Sequence, residues 1–319
     1  MLLGKVLKKI NKKYKSIRFK NIKCNSKDCK PNDIFFAIKG NKSNGNNFIS
    51  EAIKNGAKII VSNLKFRGFD KDGNLFIYEK EPRQLLSEAS NLFYQKKPRN
   101  IIAVTGTNGK TSIANFFYQI LNYNNKAVAT IGTLGVISKK LKLKTANTTI
   151  DPINIHKILK RLKKLKVNNV ILEASSHGLK QERLNNINFD TALFTNLSRD
   201  HLDYHGTMED YGAAKRLAMQ LPGVSTVVLN ADDPESDRWH TNKPSGVTTV
   251  WYGMSELAAQ KSEDRHCLAT NVKYHSAGCD FSLETSWGNA TVSIPLFGTF
   301  NISNVLSAVA TLLAEGEHF

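Results

Sequence analysis

The chain has 319 residues, 41% of them apolar and 23% charged, a balance ordinary for a soluble protein large enough for two or three domains. No apolar run approaches the roughly 18 residues that cross a bilayer, and residues 1–20 are too basic and too interrupted for a signal peptide, so a cytoplasmic protein with no membrane span is expected. The net charge of +18 is uneven, +24 over residues 1–216 and −6 beyond; with no aromatic-interleaved basic motif it reads as a bias toward Lys and Asn, and no nucleic-acid partner is expected.

In chain order, residues 30–40 read as a turn and a buried strand, 48–56 as a short helix closed by glycine, 57–62 as a strand and 83–94 as a helix. Cys24 and Cys29 here, and Cys267 and Cys279 far downstream, lack the close spacing of a zinc site and read as reduced thiols. These elements form a small αβ domain that ends near Lys96 and Lys97. The boundaries taken are 1–97 for the first domain and 98–319 for the second.

The second domain opens on the apolar run 101–104 and the stretch Val104-Thr-Gly-Thr-Asn-Gly-Lys-Thr-Ser112, a strand, a glycine-rich turn and a helix start. Gly106 and Gly109 let backbone N–H groups approach a phosphate, and the helix beginning near Lys110 aims its positive end at the same place. Lys110 pairs with β- and γ-phosphates in such a loop, and the Thr111 hydroxyl holds Mg²⁺. The strict pattern asks for glycine at position 104, which is valine, so an ordinary strand-to-helix turn stays open on this motif alone.

Beyond it, strands at 127–131, 169–173, 191–196 and 226–230 alternate with helical stretches at 154–165 and 208–220. That alternation predicts an α/β fold with a mostly parallel sheet flanked by helices and ligands at the C-terminal strand ends. Four polar clusters fall there. Asn147-Thr-Thr-Ile-Asp-Pro152 is an anion-binding turn or a helix cap. Glu173-Ala-Ser-Ser-His-Gly-Leu179 follows a buried strand with a carboxylate, two hydroxyls and an imidazole. Asn196-Leu-Ser-Arg-Asp-His-Leu-Asp-Tyr-His205 offers hard oxygen ligands and imidazoles suited to Mg²⁺ or Mn²⁺. Leu229-Asn-Ala-Asp-Asp-Pro234 is a ribose or base contact or a simple turn. Composition changes abruptly near residues 211–219. Two related sequences joined there, or one gene with a divergent C-terminal half, both fit.

Taken with Glu182 and Arg183, Tyr211-Gly-Ala-Ala-Lys215 and Gly298-Thr-Phe-Asn-Ile-Ser-Asn304, these motifs resemble the Mur ligases along essentially the whole chain. The Glu-Ala-Ser-Ser-His-Gly-Leu stretch is most similar to the branch that adds a diamino acid. The resemblance implies an ATP-dependent amide ligase of peptidoglycan precursor synthesis. It would join a diamino acid, meso-diaminopimelate favoured over L-lysine, to UDP-N-acetylmuramoyl-L-alanyl-D-glutamate through an acyl phosphate.

It also implies roles. Gly106, Thr107, Asn108, Gly109, Lys110 and Thr111 would hold the ATP phosphates, with Asp232, Asn301 and Asn304 on the adenosine side. Two Mg²⁺ sites are implied, Thr111 and Glu173 at one and His201 at the other, supported by a carbamylated Lys215. Lys110, Lys215 and His201 would be catalytic. Ser26, Thr148, Thr149, Ser176, His177 and Arg183 would bind the UDP-muramoyl-peptide. Asn25-Ser-Lys27 stands where the family has Asp-Ser-Arg, and Asn44-Gly-Asn46 where it has Asp-Gly-His. The family's C-terminal Rossmann-like domain is expected to be missing and ligation therefore impaired; a monomer is expected. The alternative is a fragment that binds nucleotide and UDP-sugar without ligase activity.

Overall fold

The computed structural model describes residues 1–40, 43–261 and 265–317. They form two compact units. The first is Met1–Lys96 together with Asp151–Lys160 and Gln181–Asn186; the second is Lys97–Ile150, Arg161–Lys180 and the chain from Ile187. A single cut at 97/98 therefore misses two returns of the chain to the first unit.

The first unit is a five-stranded sheet of β1 (Ile22–Lys23), β2 (Asp33–Phe36), β3 (Ala57–Ser62), β4 (Gly68–Phe69) and β5 (Leu75–Tyr78), in the order β1-β2-β3-β5-β4. All pairings are parallel except β4 with β5. Side chains alternate across a strand. Ile34 and Phe36 therefore share one core with Leu3, Val6, Ile59 and Leu86, while Phe35 and Ala37 share another with Ile49, Ala52 and Ile60. Helices α1 (Ile49–Lys54) and α2 (Pro82–Tyr94) supply Ala52 and Leu86; Pro82 suits the first turn of α2, where an N–H has no helical partner.

The second unit is built on an eleven-stranded sheet. Its elements are β6 (Asn100–Thr105), α3 (Lys110–Tyr123), β7 (Val128–Gly132), β8 (Gly135–Ser138), β9 (Leu141–Leu143), α4 (Pro152–Lys164, whose first turns belong to the first unit), β10 (Asn169–Glu173), α5 (Ser176–Lys180), β11 (Thr191–Phe194), α6 (Leu202–His205), α7 (Met208–Arg216), β12 (Thr226–Asn230), α8 (Glu235–Asn242), β13 (Thr248–Gly253), α9 (Glu256–Gln260), β14 (Arg265–His275), β15 (Gly278–Thr285), β16 (Gly288–Ile294) and α10 (Thr299–Ala314). The strand order is β16-β15-β14-β13-β12-β11-β6-β10-β7-β8-β9. From β7 to β14 across the sheet every pairing is parallel. Both edges are antiparallel, β8 and β9 on one side and β15 and β16 on the other.

The α/β expectation holds, with those antiparallel edges added. The expected strand 191–196 stops at Phe194 because residues 195–198 leave the sheet to grip the glycine-rich loop. The expected helix 208–220 ends at Arg216 and tightens into a 3₁₀ turn, Leu217–Gln220. One face of the sheet is covered by α3 and α10. Ile102 and Val104 of β6 share a core there with Ile113, Phe117 and Leu121 of α3 and Ile302, Leu306 and Ala310 of α10. Strand β6 lies between β10 and β11, so the chain leaves it toward one side and later fills the other. Its C-terminal end opens on the crevice where open α/β sheets bind ligands. No helix among the described residues is long and apolar enough to cross a membrane.

Candidate active site

The loop between β6 and α3 turns on two glycines that cannot be replaced cheaply. Gly106 has φ +147° and Gly109 φ +88°. A Cβ at Gly106 would collide with Thr195 Oγ1, and one at Gly109 with Asn304 Oδ1. The loop's amides and the first amides of α3 are donors of the kind that bind phosphate. Lys110 Nζ folds back to donate to the carbonyls of Gly106 (2.7 Å) and Thr107 (2.8 Å). Burial lowers its pKa, against the opposing fields of Glu173 and Asp200. Neutral carbonyls are weaker partners than an anion, so an incoming phosphate would outcompete them.

Residues 195–198 clamp this loop. Thr107 N donates to Asn196 O (2.8 Å), Asn108 N to Asn196 Oδ1 (3.0 Å), Thr195 Oγ1 to Asn108 O (2.7 Å) and Ser198 N to Thr107 Oγ1 (3.0 Å).

Glu173, at the end of β10, is buried. Its carboxylate accepts Thr111 Oγ1 (2.9 Å), Thr133 Oγ1 (3.0 Å) and Thr133 N (3.1 Å). Gly132 makes room for it, since a Cβ there would overlap the carboxylate. A carboxylate flanked by two hydroxyls is a hard oxygen set, and the residues fit Mg²⁺. Among the described residues no three His, Cys, Asp or Glu side chains converge as a ready-made metal site. Any ion here would therefore rely on the hydroxyls and on the phosphates it accompanies.

Lys215 of α7 is the most unusual group nearby. It is 1% exposed, its Nζ lies 4.1 Å from the centre of the Tyr211 ring, and its pKa is pushed down to about 6. Burial is the main cause and the Lys110 charge adds to it, with Asp200 opposing. At neutral pH it is mostly an uncharged amine, which fits a lysine that reacts with CO₂. His201 sits at φ +51° on the turn before α6, its Nε2 3.5 Å from Asp200 Oδ2. Its ring meets the His177 ring edge-on at 4.9 Å, and the His177 ring lies 4.0 Å from that of Tyr204.

Ser176 Oγ is 2.9 Å from His205 Nε2. Burial first, then the neighbouring His177, Lys180 and Lys215, push the His205 pKa down to about 4. Thr148 Oγ1 is 3.0 Å from Thr133 Oγ1. Thr149 is buried; it donates to Glu173 O (2.8 Å) and accepts Ser175 N (2.9 Å), tying the end of β10 to the turn before α4. Asn304 of α10 faces Gly109, while Asn301 Nδ2 donates to Phe297 O (2.9 Å). The carboxylate of Asp232 accepts Met254 N (2.8 Å) and Ser255 Oγ (2.5 Å), holding the turn after β13.

The first unit carries a separate group of candidates. Ser26 is buried and donates to Glu51 Oε2 (2.5 Å). Asn25 and Asn44 each cap a 3₁₀ turn through their side-chain oxygens, and Asn46 Nδ2 donates to Asn63 Oδ1 (2.8 Å). Arg183 Nη2 donates to Gln181 Oε1 (2.7 Å). A cavity of about 380 Å³ is lined by Asn25, by apolar Ile22, Phe93 and Ile153, and by charged Lys23, Asp151 and Lys157. Apolar walls with a few polar groups at that volume suit a small organic ligand.

Thr133, Asn196, Ser198 and His205 hydrogen-bond to these candidates and are not singled out by the sequence. All but Thr133 lie inside quoted motifs, and Thr133 directly follows a strand end, so position after a strand was the available signal.

Two family profiles match the chain: "Mur ligase family, catalytic domain" over residues 18–115 and "Mur ligase middle domain" over 104–312. A protein of Wigglesworthia glossinidia brevipalpis named UDP-N-acetylmuramoyl-L-alanyl-D-glutamate–2,6-diaminopimelate ligase is 36% identical over 312 residues, 95% of this chain and 62% of that protein. A protein of the same name from Haemophilus influenzae (strain PittGG) is 34% identical over 94% of this chain and 62% of its own length. A solved structure of a ligase with that name superposes with a TM-score of 0.85 at 29% identity, covering all of this chain and 64% of that one. The chain thus spans a little under two thirds of the relatives it matches. The middle-domain match takes in the glycine-rich loop, the Glu173 strand, buried Lys215 and the Asn304 helix, so the chain belongs to the Mur ligase family.

Proposed function

We propose that this chain carries the nucleotide and UDP-sugar sites of an ATP-dependent ligase joining a diamino acid to UDP-N-acetylmuramoyl-L-alanyl-D-glutamate. Diaminopimelate is the favoured diamino acid, as in the names of the relatives. The observation that carries the reading is one loop at the C-terminal end of β6 that holds Lys110 against its carbonyls, Thr111 against Glu173, and Thr107 against Tyr211, on whose ring buried Lys215 packs.

A carboxylate resists attack by an amine until it carries a phosphoryl group. Moving that group between two anions calls for positioning and positive charge more than for covalent help. Lys110 would leave the loop carbonyls for the β- and γ-phosphates of ATP, with the loop amides beside it. Thr111 and Glu173 would hold one Mg²⁺, and His201 a second; bound there, the ions would neutralise phosphate charge. Lys215 would take up CO₂, its nitrogen forming the C–N bond and releasing a proton, and the resulting carbamate would give the second ion an oxygen partner. Asn304 and Asp232 would lie on the adenosine side. Ser176, His177, Thr148, Thr149 and Arg183 would orient the muramoyl-peptide, and Ser26 its uridine. We place the protein in the cytoplasm as a monomer, where these precursors are made.

Calorimetric titration tests this reading, first with Mg²⁺ and a non-hydrolysable ATP analogue, then with UDP-N-acetylmuramoyl-L-alanyl-D-glutamate. Micromolar binding of both is expected. Binding of the analogue without the UDP-sugar would reduce the reading to a nucleotide-binding protein.

A further inference from the structure

The turn 230–233 was open to a ribose or base contact; Asp232 is exposed there, while Asn230 and Asp233 bond back to the chain. Asn230 Nδ2 donates to Thr195 O (2.7 Å) in the protein interior, and its Oδ1 accepts Asp232 N (3.1 Å). Asp233 Oδ2 accepts Leu197 N (2.8 Å), and its Oδ1 accepts Glu235 N (2.9 Å). Tyr252 OH reaches the carbonyls of Phe194 (3.2 Å) and Thr195 (3.4 Å) from β13. Thr195 and Leu197 bracket the residue whose backbone and side chain hold Thr107 N and Asn108 N.

We infer that Asn230 and Asp233 are positioning residues for the phosphate loop, acting through residues 195–198 without touching the nucleotide. The inference rests on the nucleotide reading above only for its effect on affinity; the mechanical part stands on the hydrogen bonds alone. The loop needs such support because its two glycines leave the backbone at 106–109 free to adopt many conformations. Its amides bind phosphate well only if they are already aimed. Thr195 is pinned on both sides, its carbonyl by Asn230 and its hydroxyl to Asn108 O, so a shift at one end is felt at the other. Buried hydrogen bonds of this kind are costly to leave half-made.

The experiment is amide hydrogen exchange on the nucleotide-free chain, paired with titration of Mg²⁺ and the non-hydrolysable ATP analogue. It is run on wild type, Asn230→Ala, Asp233→Ala, Thr195→Val and the pair Thr195→Val with Asn230→Ala. In Asn230→Ala and Asp233→Ala, exchange at the Thr107 and Asn108 amides should rise about tenfold, while Ile102 and Ile171 in the sheet keep their rates. Analogue affinity should fall by about tenfold, and the paired variant should lose less than the product of the two single losses. Should Asn230→Ala fail to fold, Asp233→Ala reads the same loop through Leu197. Unchanged loop exchange, a uniform rise across β6 and β10, or fully multiplicative losses would each overturn the inference. If the loop amides respond but wild type binds no analogue, the nucleotide reading fails and the bracing of the loop stands.

Discussion

Around Gly106–Thr111 the proposed phosphate donors are backbone amides, and the side chains beside them are locked by neighbours: Thr111 and Thr133 on Glu173, Asn196 on Thr107 and Asn108. In the first unit the proposed contacts are side chains: Asn25 lines a cavity and bonds to Lys27 N and Asp28, Asn44 accepts Asn46 N, and Asn46 Nδ2 donates to Asn63. Backbone donors tolerate no change of local conformation, so their sequence pattern is narrow. A cavity lining tolerates exchange of one polar side chain for another, which fits asparagine at position 25, where the family resemblance implies aspartate. Large single-residue effects are therefore expected at the loop and small ones at the cavity.

Lys110→Ala should give the largest effect, a fall of roughly a hundredfold in affinity for Mg²⁺ and the ATP analogue measured by calorimetry, because a charge-assisted contact to phosphate is lost. A loss under fivefold would place the phosphates elsewhere. Glu173→Ala should rank next. Affinity for the analogue without Mg²⁺ should hold, while the gain on adding Mg²⁺, expected at roughly tenfold in wild type, should vanish.

A pH titration of stability probes the same side of the comparison. His205 has its pKa depressed to about 4 in the folded chain, while an unfolded histidine titrates near 6.5. Between those values the unfolded state binds the extra proton, so stability is full above pH 6.5 and is lost as the pH falls toward 4. His205→Gln should keep the bond to Ser176 Oγ and flatten that slope in melting curves from pH 7 to 4.5. An unaltered slope would assign the acid sensitivity to other groups. The smallest effect belongs to the first unit. Ser26→Ala should weaken the UDP-sugar by about fivefold, the value of one hydrogen bond, and leave the analogue untouched. A hundredfold loss there would erase the contrast between the two sites.

Much of the loop could be read from the chain because glycine at 106 and 109, Lys110 and Thr111 are dictated by local geometry, and strand-to-helix alternation placed Glu173 and the His201 turn at the same sheet edge. The chain's two returns to the first unit were not legible, since Asp151–Lys160 begins a helix that looks continuous with the second domain. Nor were β14–β16, long antiparallel strands with mixed burial that lack a clean alternation. Thr149 and Asp232 show a different limit. Their residue types suit ligands, but only the fold reveals hydroxyl and carboxylate already bound to backbone at Glu173 and Met254.

The brace on the loop also crosses the change in composition. Residues 195–198 lie in the lysine-rich portion, and Asn230 and Asp233 in the acidic one, on either side of residues 211–219. A segment brought in at this place from a related gene would keep the loop braced where it supplies an amide and a carboxylate that reach Thr195 and Leu197, and would cost about tenfold in affinity where it does not.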